Sequence, residues 1–400
     1  MGSTPQPTLR VLHFLPVYAP AWQYGGPVLS VSRLCEGLAA QGAAVRVIST
    51  DAGLPEWPRQ HLGRPMWRHG VEIIRYPVDD QRGSIRSRAL ELAVHEAMAG
   101  VDLLHLSAVW QPLGLPVQRA ALQRGLPILH SLRGALGPYS FRHGWWKKWP
   151  YFLLCERPLL QRASGLHVTS SQEERELRGL GLRAPRYRLP NPLDLGELRP
   201  DPELGRLWRL RHGLPGNVPL LLICGRQHHK KGLDLLADAL PPLAGLAWQL
   251  LLVGSDEDGS GARLAASLAR CGLAGRLRCM PTLPASELAA VYNAADSLLM
   301  PSRHENFGNV VVEALACGCT VVVSDRTGVA ADLIRDAPPG FGVVLPRQPR
   351  LWQRWLEGWL ASPSRAGETA ARWAAQHYGQ HTLARRAIEI YRQILQYPLH

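Results

Sequence analysis

The first half of the chain alternates short apolar runs with segments in which apolar residues recur at helical spacing. Runs with so few polar positions are typical of strands in a parallel sheet whose two faces are both covered by helices. The predicted strands are residues 10–16, 44–49, 71–75, 101–106, 127–130, 165–168 and 186–189. The predicted helices are residues 27–41, 84–99, 112–124, 145–162 and 171–179.

The same alternation restarts after a proline-rich segment, Pro190-Asn191-Pro192-Leu193-Asp194, which has the composition of a linker. Strands are predicted at residues 218–224, 247–253, 276–279, 296–300 and 319–323. Helices are predicted at 231–240, 261–271, 284–293, 309–317 and 350–361, with two more in the tail, 365–397. We therefore predict domains at residues 1–193 and 194–375, and a terminal helix within 376–400 that returns to the first domain.

The predicted fold is α/β, with two doubly wound, Rossmann-like domains facing a central cleft. A chain of 400 residues is long enough for two domains of ordinary size. In doubly wound sheets, ligands bind outside the carboxyl ends of the strands. Site residues are therefore expected where the predicted strands end.

The net charge of +13 favours an anionic partner such as nucleic acid, anionic lipid or a phosphorylated acceptor. The charge is uneven, with +9 in residues 1–195 and +4 in residues 196–400. No apolar run is long enough to span a bilayer, and the amino terminus has no secretory apolar core. Seven cysteines without a Cys-x2-Cys pair suit reduced thiols, so a cytoplasmic protein is predicted.

The most informative segment, residues 301–325, contains His-Glu-Asn-Phe-Gly-Asn followed by an apolar helix and a buried strand. Glu305 lies in the loop, and Glu313 lies about one turn into a helix that starts near Asn309. Free N–H groups at a helix start bind anions such as phosphate. Two carboxylates beside that start can hold hydroxyls and face a positively charged sugar carbon. The segment thus predicts a seat for a sugar diphosphate.

A second segment, residues 222–232, places Arg226 and Lys231 between a strand end and a helix. Two cations above a helix start can clamp a diphosphate. A solvated basic loop is the alternative. If the clamp forms, Lys230 and His228 or His229 are expected in outer or solvent-facing positions.

Together these segments resemble the Gly-Arg…Lys-Gly and Glu-x7-Glu motifs of retaining glycosyltransferases of the GT-B fold, in glycosyltransferase family 4 (glycosyl transferases group 1). The resemblance extends over roughly residues 9–397. It implies that Arg226 and Lys231 hold the donor diphosphate and stabilise the leaving charge. It also implies that Glu305 faces the sugar and that Glu313 binds the ribose hydroxyls. Backbone close to the phosphates is implied for Phe307, Gly308, Asn309 and Val310.

In the first half, Gly25 and Gly26 follow strand one and match the family's glycine loop, which is expected to contact donor phosphate or acceptor. Many relatives carry a histidine where this chain has Arg133. The arginine resembles a subgroup tied to capsule or exopolysaccharide synthesis, and it cannot act as a base. We expect Arg133 to pair with a phosphate or carboxylate, and His105 and Trp110 to line the acceptor pocket. His130 is interpreted as a strand residue.

Basic and aromatic residues interleave in residues 141–152, which include Trp145, Trp146, Lys147 and Lys148. Both residue classes favour a membrane interface, so a lipid-diphosphate acceptor or an anionic membrane surface would suit this segment. Two alternatives are a helix packed on the core with exposed lysines and, less favoured, base stacking. Nucleic acid is not the predicted partner.

The predicted activity is hexosyl transfer, with retention, from a nucleotide-diphosphate sugar to the hydroxyl of a glycan or lipid-linked acceptor. The expected pathway is synthesis of cell-surface polysaccharide or lipid-linked glycan, in the cytoplasm or at the inner face of the membrane. The resemblance implies that no metal or other cofactor is required, and Asp79-Asp80 and Asp256-Glu257-Asp258, which could suggest a metal site, are interpreted as turns. The alternatives are an isomerase like the nucleotide-sugar 2-epimerases and a basic binding protein without catalysis.

Overall fold

The computed structural model describes residues 8–79, 84–142, 144–196 and 198–396. The chain forms two compact α/β units. One contains the residues up to Pro192 together with those from Gln380 onward, and the other is Leu193–Gly379. The divisions predicted from the sequence come after residues 193 and 375, within four residues of those in the structure.

The first unit is built on an eight-stranded sheet in the order β3-β4-β2-β1-β5-β6-β7-β8. Its strands are β1 (Arg10–Val17), β2 (Ala44–Thr50), β3 (Pro65–Arg68), β4 (Val71–Tyr76), β5 (Leu103–Leu106), β6 (Ile128–Ser131), β7 (Gly165–Val168) and β8 (Arg186–Arg188). Its first helices are α1 (Gly26–Ala40), α2 (Arg88–Ala97), α3 (Gly114–Gln123), α4 (Pro138–Arg142), α5 (Trp145–Tyr151), α6 (Arg157–Gln161) and α7 (Ser171–Glu176).

The seven predicted strands of this unit are all present, and the central ones, from β4 to β7 in the order of the sheet, are mostly buried on both faces, whereas the edge strand β8 is half buried. Residues 11–17 of β1, for example, are all buried. The pattern missed β3, which pairs antiparallel with β4 at the sheet edge and is only half buried. An edge strand exposed on one side lacks the continuous apolar run that marked the others.

The predicted helix 145–162 is helical throughout but not uniform. Between α5 and α6 the chain forms a π-helical turn, Phe152–Glu156. Such turns are uncommon and often lie at functional sites. The apolar periodicity predicted the helix, yet it carries no signal for the change in winding.

The second unit is built on a six-stranded parallel sheet in the order β11-β10-β9-β12-β13-β14. Its strands are β9 (Leu220–Cys224), β10 (Gln249–Val253), β11 (Leu277–Met280), β12 (Ser297–Met300), β13 (Thr320–Ser324) and β14 (Gly342–Leu345). Its helices are α8 (Pro202–Arg211), α9 (Asp234–Ala239), α10 (Ser260–Arg270), α11 (Ala285–Ala294), α12 (Asn309–Ala316), α13 (Ala330–Asp336), α14 (Pro349–Ala361) and α15 (Gly367–Tyr378).

The last helix, α16 (Gln380–Gln396), belongs to the first unit and packs against α1. Its buried side chains include Leu383, Tyr391 and Ile394, so one apolar face joins the core of that unit. The described helices include none with the length and apolarity needed to cross a bilayer. The seven cysteines are free, and Cys317 and Cys319 are buried in the second unit.

Candidate functional site

In the second unit, Lys231 and Glu305 form an ion pair at the carboxyl ends of β9 and β12. The distance from Lys231 Nζ to Glu305 Oε2 is 2.6 Å, and both side chains are partly shielded from solvent. Lys231 ends a short 3₁₀ turn, His229–Lys231, and Gly232 follows with a φ of 68°. A Cβ at Gly225 would lie 3.9 Å from Lys231 Nζ, so the ammonium lies over the turn that follows β9.

Glu305 stays ionised at neutral pH because of this pair. Burial raises the pKa of its carboxyl group, but the charge and hydrogen bond of Lys231 outweigh burial, and the pKa lies below its ordinary value. Backbone hydrogen bonds hold the residue from both sides. Its N–H donates to Arg326 O at 3.0 Å, and Gly328 N–H donates to Glu305 O at 2.9 Å. The carboxylate is therefore fixed in position as well as in charge.

Arg226 points to a different partner. Its Nη1 lies 2.8 Å from Glu257 Oε1, in the loop that follows β10, and its side chain is 73% exposed. The loops after β9 and β10 are joined beneath it, because buried Gln227 donates from Nε2 to Gly254 O at 2.8 Å. The structure therefore places Arg226 at the same sheet edge as Lys231, on an exposed ion pair rather than on Glu305.

The turn between Glu305 and α12 requires glycine at Gly308. Its φ is 98°, and a Cβ there would lie 2.8 Å from Thr327 Cγ2. Gly308 caps α12, whose first residues are Asn309 and Val310. Phe307 is buried beneath the turn, and its O accepts from Val329 N–H at 2.9 Å. The helix start predicted from residues 301–325 is thus formed as expected, with Glu305 just before it.

Glu313, in the second turn of α12, is buried and bonded to a tyrosine. The Tyr292 hydroxyl of α11 donates to Glu313 Oε2 at 2.9 Å. The same hydroxyl lies 3.7 Å from the sulfur of Cys224, the last residue of β9. Sequence reasoning missed Tyr292, because its position in an apolar helix gives no sign of a polar partner.

In the first unit, Arg133 and the glycine loop are brought together. Gly25, with a φ of 80°, caps α1, and Gly26 begins that helix. Arg133 Nη1 donates to Ser30 Oγ in α1 at 2.7 Å and to Asn191 Oδ1 at 3.1 Å. Burial lowers the pKa of Arg133 to about 10, which leaves it charged at neutral pH.

Trp110 has a left-handed backbone, with a φ of 65°, which is rare for a bulky residue. Its N–H donates to Glu156 Oε1 at 3.0 Å, and its indole N–H donates to Ala135 O at 2.6 Å. The second bond ties Trp110 to the loop that carries Arg133. Burial raises the pKa of Glu156 to about 7. The Trp110 ring is half-buried and packs edge-on against Phe141, and its role on the acceptor side stays a prediction.

The prediction that His105 lines an acceptor pocket is not supported, because its side chain is 1% exposed. Its Nε2 lies 3.0 Å from His167 Nδ1, and its Nδ1 lies 2.7 Å from the Tyr391 hydroxyl. The Tyr391 oxygen lies 3.4 Å from His13 Nε2. A buried polar chain thus links β1, β5 and β7 to α16, and we call these four residues the histidine–tyrosine chain.

One carbonyl group sets the proton positions in this chain. His167 Nε2 lies 2.7 Å from Leu189 O, which can only accept, so Nε2 carries the proton. Neutral His167 then accepts at Nδ1 from His105, and His105 accepts at Nδ1 from Tyr391. Burial lowers the pKa of His13 and of His167 to about 3. The chain therefore connects neutral groups and stabilises the docking of α16.

Three ligand-type side chains approach one another near Lys231. The Oδ2 atom of Asp258 lies 3.3 Å from His229 Nδ1 and 3.8 Å from His228 Nε2. Among the described residues, the side chains of His228, His229 and Asp258 lie close enough together to hold a metal ion. Asp258 also accepts from the N–H groups of His229 and Ser260, which suits a loop-stabilising role. Asp80, of the other predicted carboxylate pair, lies outside the described residues.

The aromatic–basic segment forms an exposed face. The side chains of Trp145 and Trp146 are 63% and 62% exposed, and Leu153 and Leu154 are exposed in the π-helical turn. Lys147 is exposed, whereas Lys148 turns inward, donates to Ser140 O and lies 5.6 Å from the Trp110 ring. The alternative interpretation is a helix packed on the core with two exposed lysines. Neither Trp145 nor Trp146 packs on the core, and of the two lysines Lys147 is exposed and Lys148 is not.

Comparison with known proteins identifies the family. Residues 25–192 match the family described as glycosyl transferase 4-like domain, and residues 218–356 match the one described as glycosyl transferases group 1. The chain is 31% identical to 2-deoxystreptamine glucosyltransferase of Streptomyces kanamyceticus, over 92% of this chain and 98% of the relative. It is 26% identical to D-inositol 3-phosphate glycosyltransferase of Xylanimonas cellulosilytica, over 97% of each.

Solved structures agree in fold. Sucrose-phosphate synthase of Thermosynechococcus elongatus superposes with a TM-score of 0.74 at 22% identity, covering 97% of this chain and 99% of that one. HepE of Anabaena, solved with UDP and glucose, has a TM-score of 0.73 at 19% identity, covering 96% and 100%. Both have the architecture of two parallel-sheet α/β domains seen here. The chain therefore belongs to the glycosyl transferases group 1 family and is a glycosyltransferase of the GT-B fold.

Proposed function

We propose that the chain transfers a hexosyl group from a nucleotide-diphosphate sugar to an acceptor hydroxyl, with retention and without a metal ion. The proposal rests on the Lys231–Glu305 pair beside the start of α12. A donor diphosphate seated there would meet the ammonium of Lys231 and the N–H groups of the helix start. Relatives support this class of donor, since HepE was solved with UDP and glucose.

The pair supplies charge of both signs to a reaction that separates charge. Breaking a sugar–diphosphate bond leaves a diphosphate anion and a sugar carbon with cationic character. Lys231 would stabilise the anion, and Arg226 would join it once its side chain has left Glu257. When Lys231 turns to the diphosphate, the cationic sugar carbon beside Glu305 would favour the negative charge of the carboxylate in its place, and Glu305 can then stabilise or orient the sugar. Retention would follow if the acceptor hydroxyl attacks on the face that the diphosphate leaves and passes its proton to an oxygen of the departing diphosphate.

The donor is tested by thermal unfolding with UDP, ADP, GDP and their hexose conjugates, with and without magnesium. At a hundredfold excess over Kd, binding adds about 2.7 kcal/mol, a shift of roughly 5–10 °C for a unit of this size. A shift with one nucleotide family that does not depend on magnesium is the expected result. Absence of any shift would contradict the donor site. Donor incubated alone should give no new sugar isomer, since an isomer would indicate an epimerase.

We further propose that the acceptor lies at an anionic lipid surface, as in the synthesis of cell-surface or lipid-linked glycans. Support comes from the exposed Trp145, Trp146, Leu153 and Leu154 beside Lys147, and from the positive charge of the first half. Glu156, the acid nearest in sequence, is buried. Indoles and lysines of this kind favour the boundary between headgroups and acyl chains.

The membrane contact is tested by co-sedimentation with vesicles of phosphatidylglycerol and phosphatidylcholine. The variant W145S/W146S/K147E should lose most binding, since it removes both indoles and reverses the exposed charge. Lys148 is left intact because it contacts Ser140 and Trp110. The control is Trp67→Ser, which removes another exposed indole of the same unit, on β3. Equal sedimentation of all three proteins would reject this surface.

A further inference from the structure

We propose that Tyr292 is a positioning residue, which holds the Glu313 carboxylate where it can bind the ribose hydroxyls of the donor. The inference rests on the proposed function, in which Glu313 binds ribose hydroxyls. Tyr292 is fully buried in α11, and its hydroxyl donates to Glu313 Oε2 at 2.9 Å. Being buried beneath Glu313, Tyr292 acts through that carboxylate and not by contact with the donor.

The bond with Tyr292 adds a restraint on rotation of the Glu313 carboxyl group. A carboxylate swings about its terminal torsion with little resistance, since that rotation is broad and roughly two-fold. The phenol ring is held in the core of the unit, so its hydroxyl oxygen has a fixed position relative to Glu313. The short distance of 2.9 Å makes the hydrogen bond an effective restraint.

Tyr292 also sets the position of Glu313 relative to the phosphate side of the donor site. Its hydroxyl lies 3.7 Å from the sulfur of Cys224, and Cys224 directly precedes Gly225 and Arg226. A single hydroxyl group thus contacts both the end of β9 and the second turn of α12. A donor that spans its diphosphate and its ribose would need these two elements in a fixed relation.

The test is Tyr292→Phe, which removes one oxygen and keeps the ring. Binding of UDP, or of ADP or GDP if one of those gives the larger thermal shift, is compared with its 2′-deoxy and 3′-deoxy forms by calorimetry. We expect the wild-type protein to prefer the ribonucleotide by about tenfold, the value of one good hydrogen bond. In the variant the preference should fall below about threefold, while affinity for the deoxy forms changes little.

The control is Tyr378→Phe. Tyr378 is equally buried in this unit, and its hydroxyl donates to Asp332 Oδ2 at 3.1 Å. It loses the same atom and a similar bond, but it should keep the wild-type preference for ribose. A Tyr292→Phe protein that still prefers the ribonucleotide as strongly as wild type overturns the inference and leaves the proposed function intact. A wild-type protein that binds none of these nucleotides removes the proposed function, and the inference with it.

Discussion

The two units end their parallel strands in opposite chemistry. In the second unit the strand ends carry charges, with Lys231 on Glu305 and Arg226 on Glu257. In the first unit the strands themselves carry histidines, one each in β1, β5, β6 and β7, and all four are buried. The main cation of that edge is Arg133, which is held by neutral oxygens.

This difference shows that one architecture can serve two purposes. Charged side chains with access to solvent can exchange partners, as donor binding requires of Lys231 and Arg226. Neutral, buried histidines cannot exchange partners cheaply, because a buried polar group that loses its hydrogen bond costs about 1–3 kcal/mol. The second unit is therefore suited to binding an anion, and the histidine–tyrosine chain is suited to holding α16 in place.

The largest expected effect lies on the charged side. Glu305→Gln should lower donor turnover by about 10²–10³-fold, because it removes one preorganised charge that faces the reacting carbon. The fold should be kept, since the amide fills the same space, and nucleotide affinity should not fall, since Lys231 no longer has to leave a carboxylate. Release of nucleoside diphosphate measures turnover, and thermal unfolding measures the fold. The control is Glu287→Gln, at an exposed position of α11. Near wild-type turnover in Glu305→Gln would mean that the charge of Glu305 does not contribute to the reaction, so the charged strand ends of the second unit would not explain its function.

The next effect lies on the neutral side and depends on pH. Burial lowers the pKa of His130 to about 3, so between pH 6.5 and 3 the unfolded chain binds a proton that the folded chain does not. Stability therefore falls as pH falls through this window. Glu156 and Glu173, whose pKa values are raised by burial, act in the opposite direction. His130→Leu removes the histidine contribution alone, so its stability relative to wild type should rise by about 2 kcal/mol between pH 7.5 and pH 5.

Urea unfolding at the two pH values measures this change. His130 suits the test because neither of its ring nitrogens has a hydrogen-bond partner among the described residues, so leucine breaks no described bond. The control is His95→Leu, at an exposed position of α2, which should follow the wild-type pH dependence. If the advantage of His130→Leu were the same at both pH values, the histidines would not be held neutral by burial.

The smallest effect concerns the exposed pair Arg226–Glu257. Glu257→Gln should change stability by less than about 1 kcal/mol, because exposed ion pairs contribute little. Nucleotide affinity should rise by up to about threefold, since Arg226 no longer has to leave a carboxylate. Glu203→Gln breaks another exposed pair of the same unit, with Arg206, and should leave nucleotide affinity unchanged. Weaker nucleotide binding in Glu257→Gln would instead mean that Glu257 helps to position Arg226.

The sequence predicted most of the fold because the central strands of both sheets are buried on their two faces. The twelve predicted strands are all present. The two that were missed, β3 and β14, are half-buried edge strands, although the other two edge strands, β8 and β11, were predicted at similar burial. The turn at Gly308 and the helix start after it were also predictable, because both depend on residues close together in the chain. The pairing of Lys231 with Glu305 is different, since the two residues are 74 positions apart.

The chain by itself determined which residues end strands and begin helices, since those choices follow from local periodicity, glycine and charge. Only the tertiary structure decided which of these ends carry charged side chains with access to solvent. It buried His105 with His167 and Tyr391, 286 residues further along the chain, and it turned Lys148 inward while leaving Lys147 exposed. It also placed Tyr292 against Glu313. Burial and long-range hydrogen bonds arise only when distant segments pack, and no pattern within one segment encodes them.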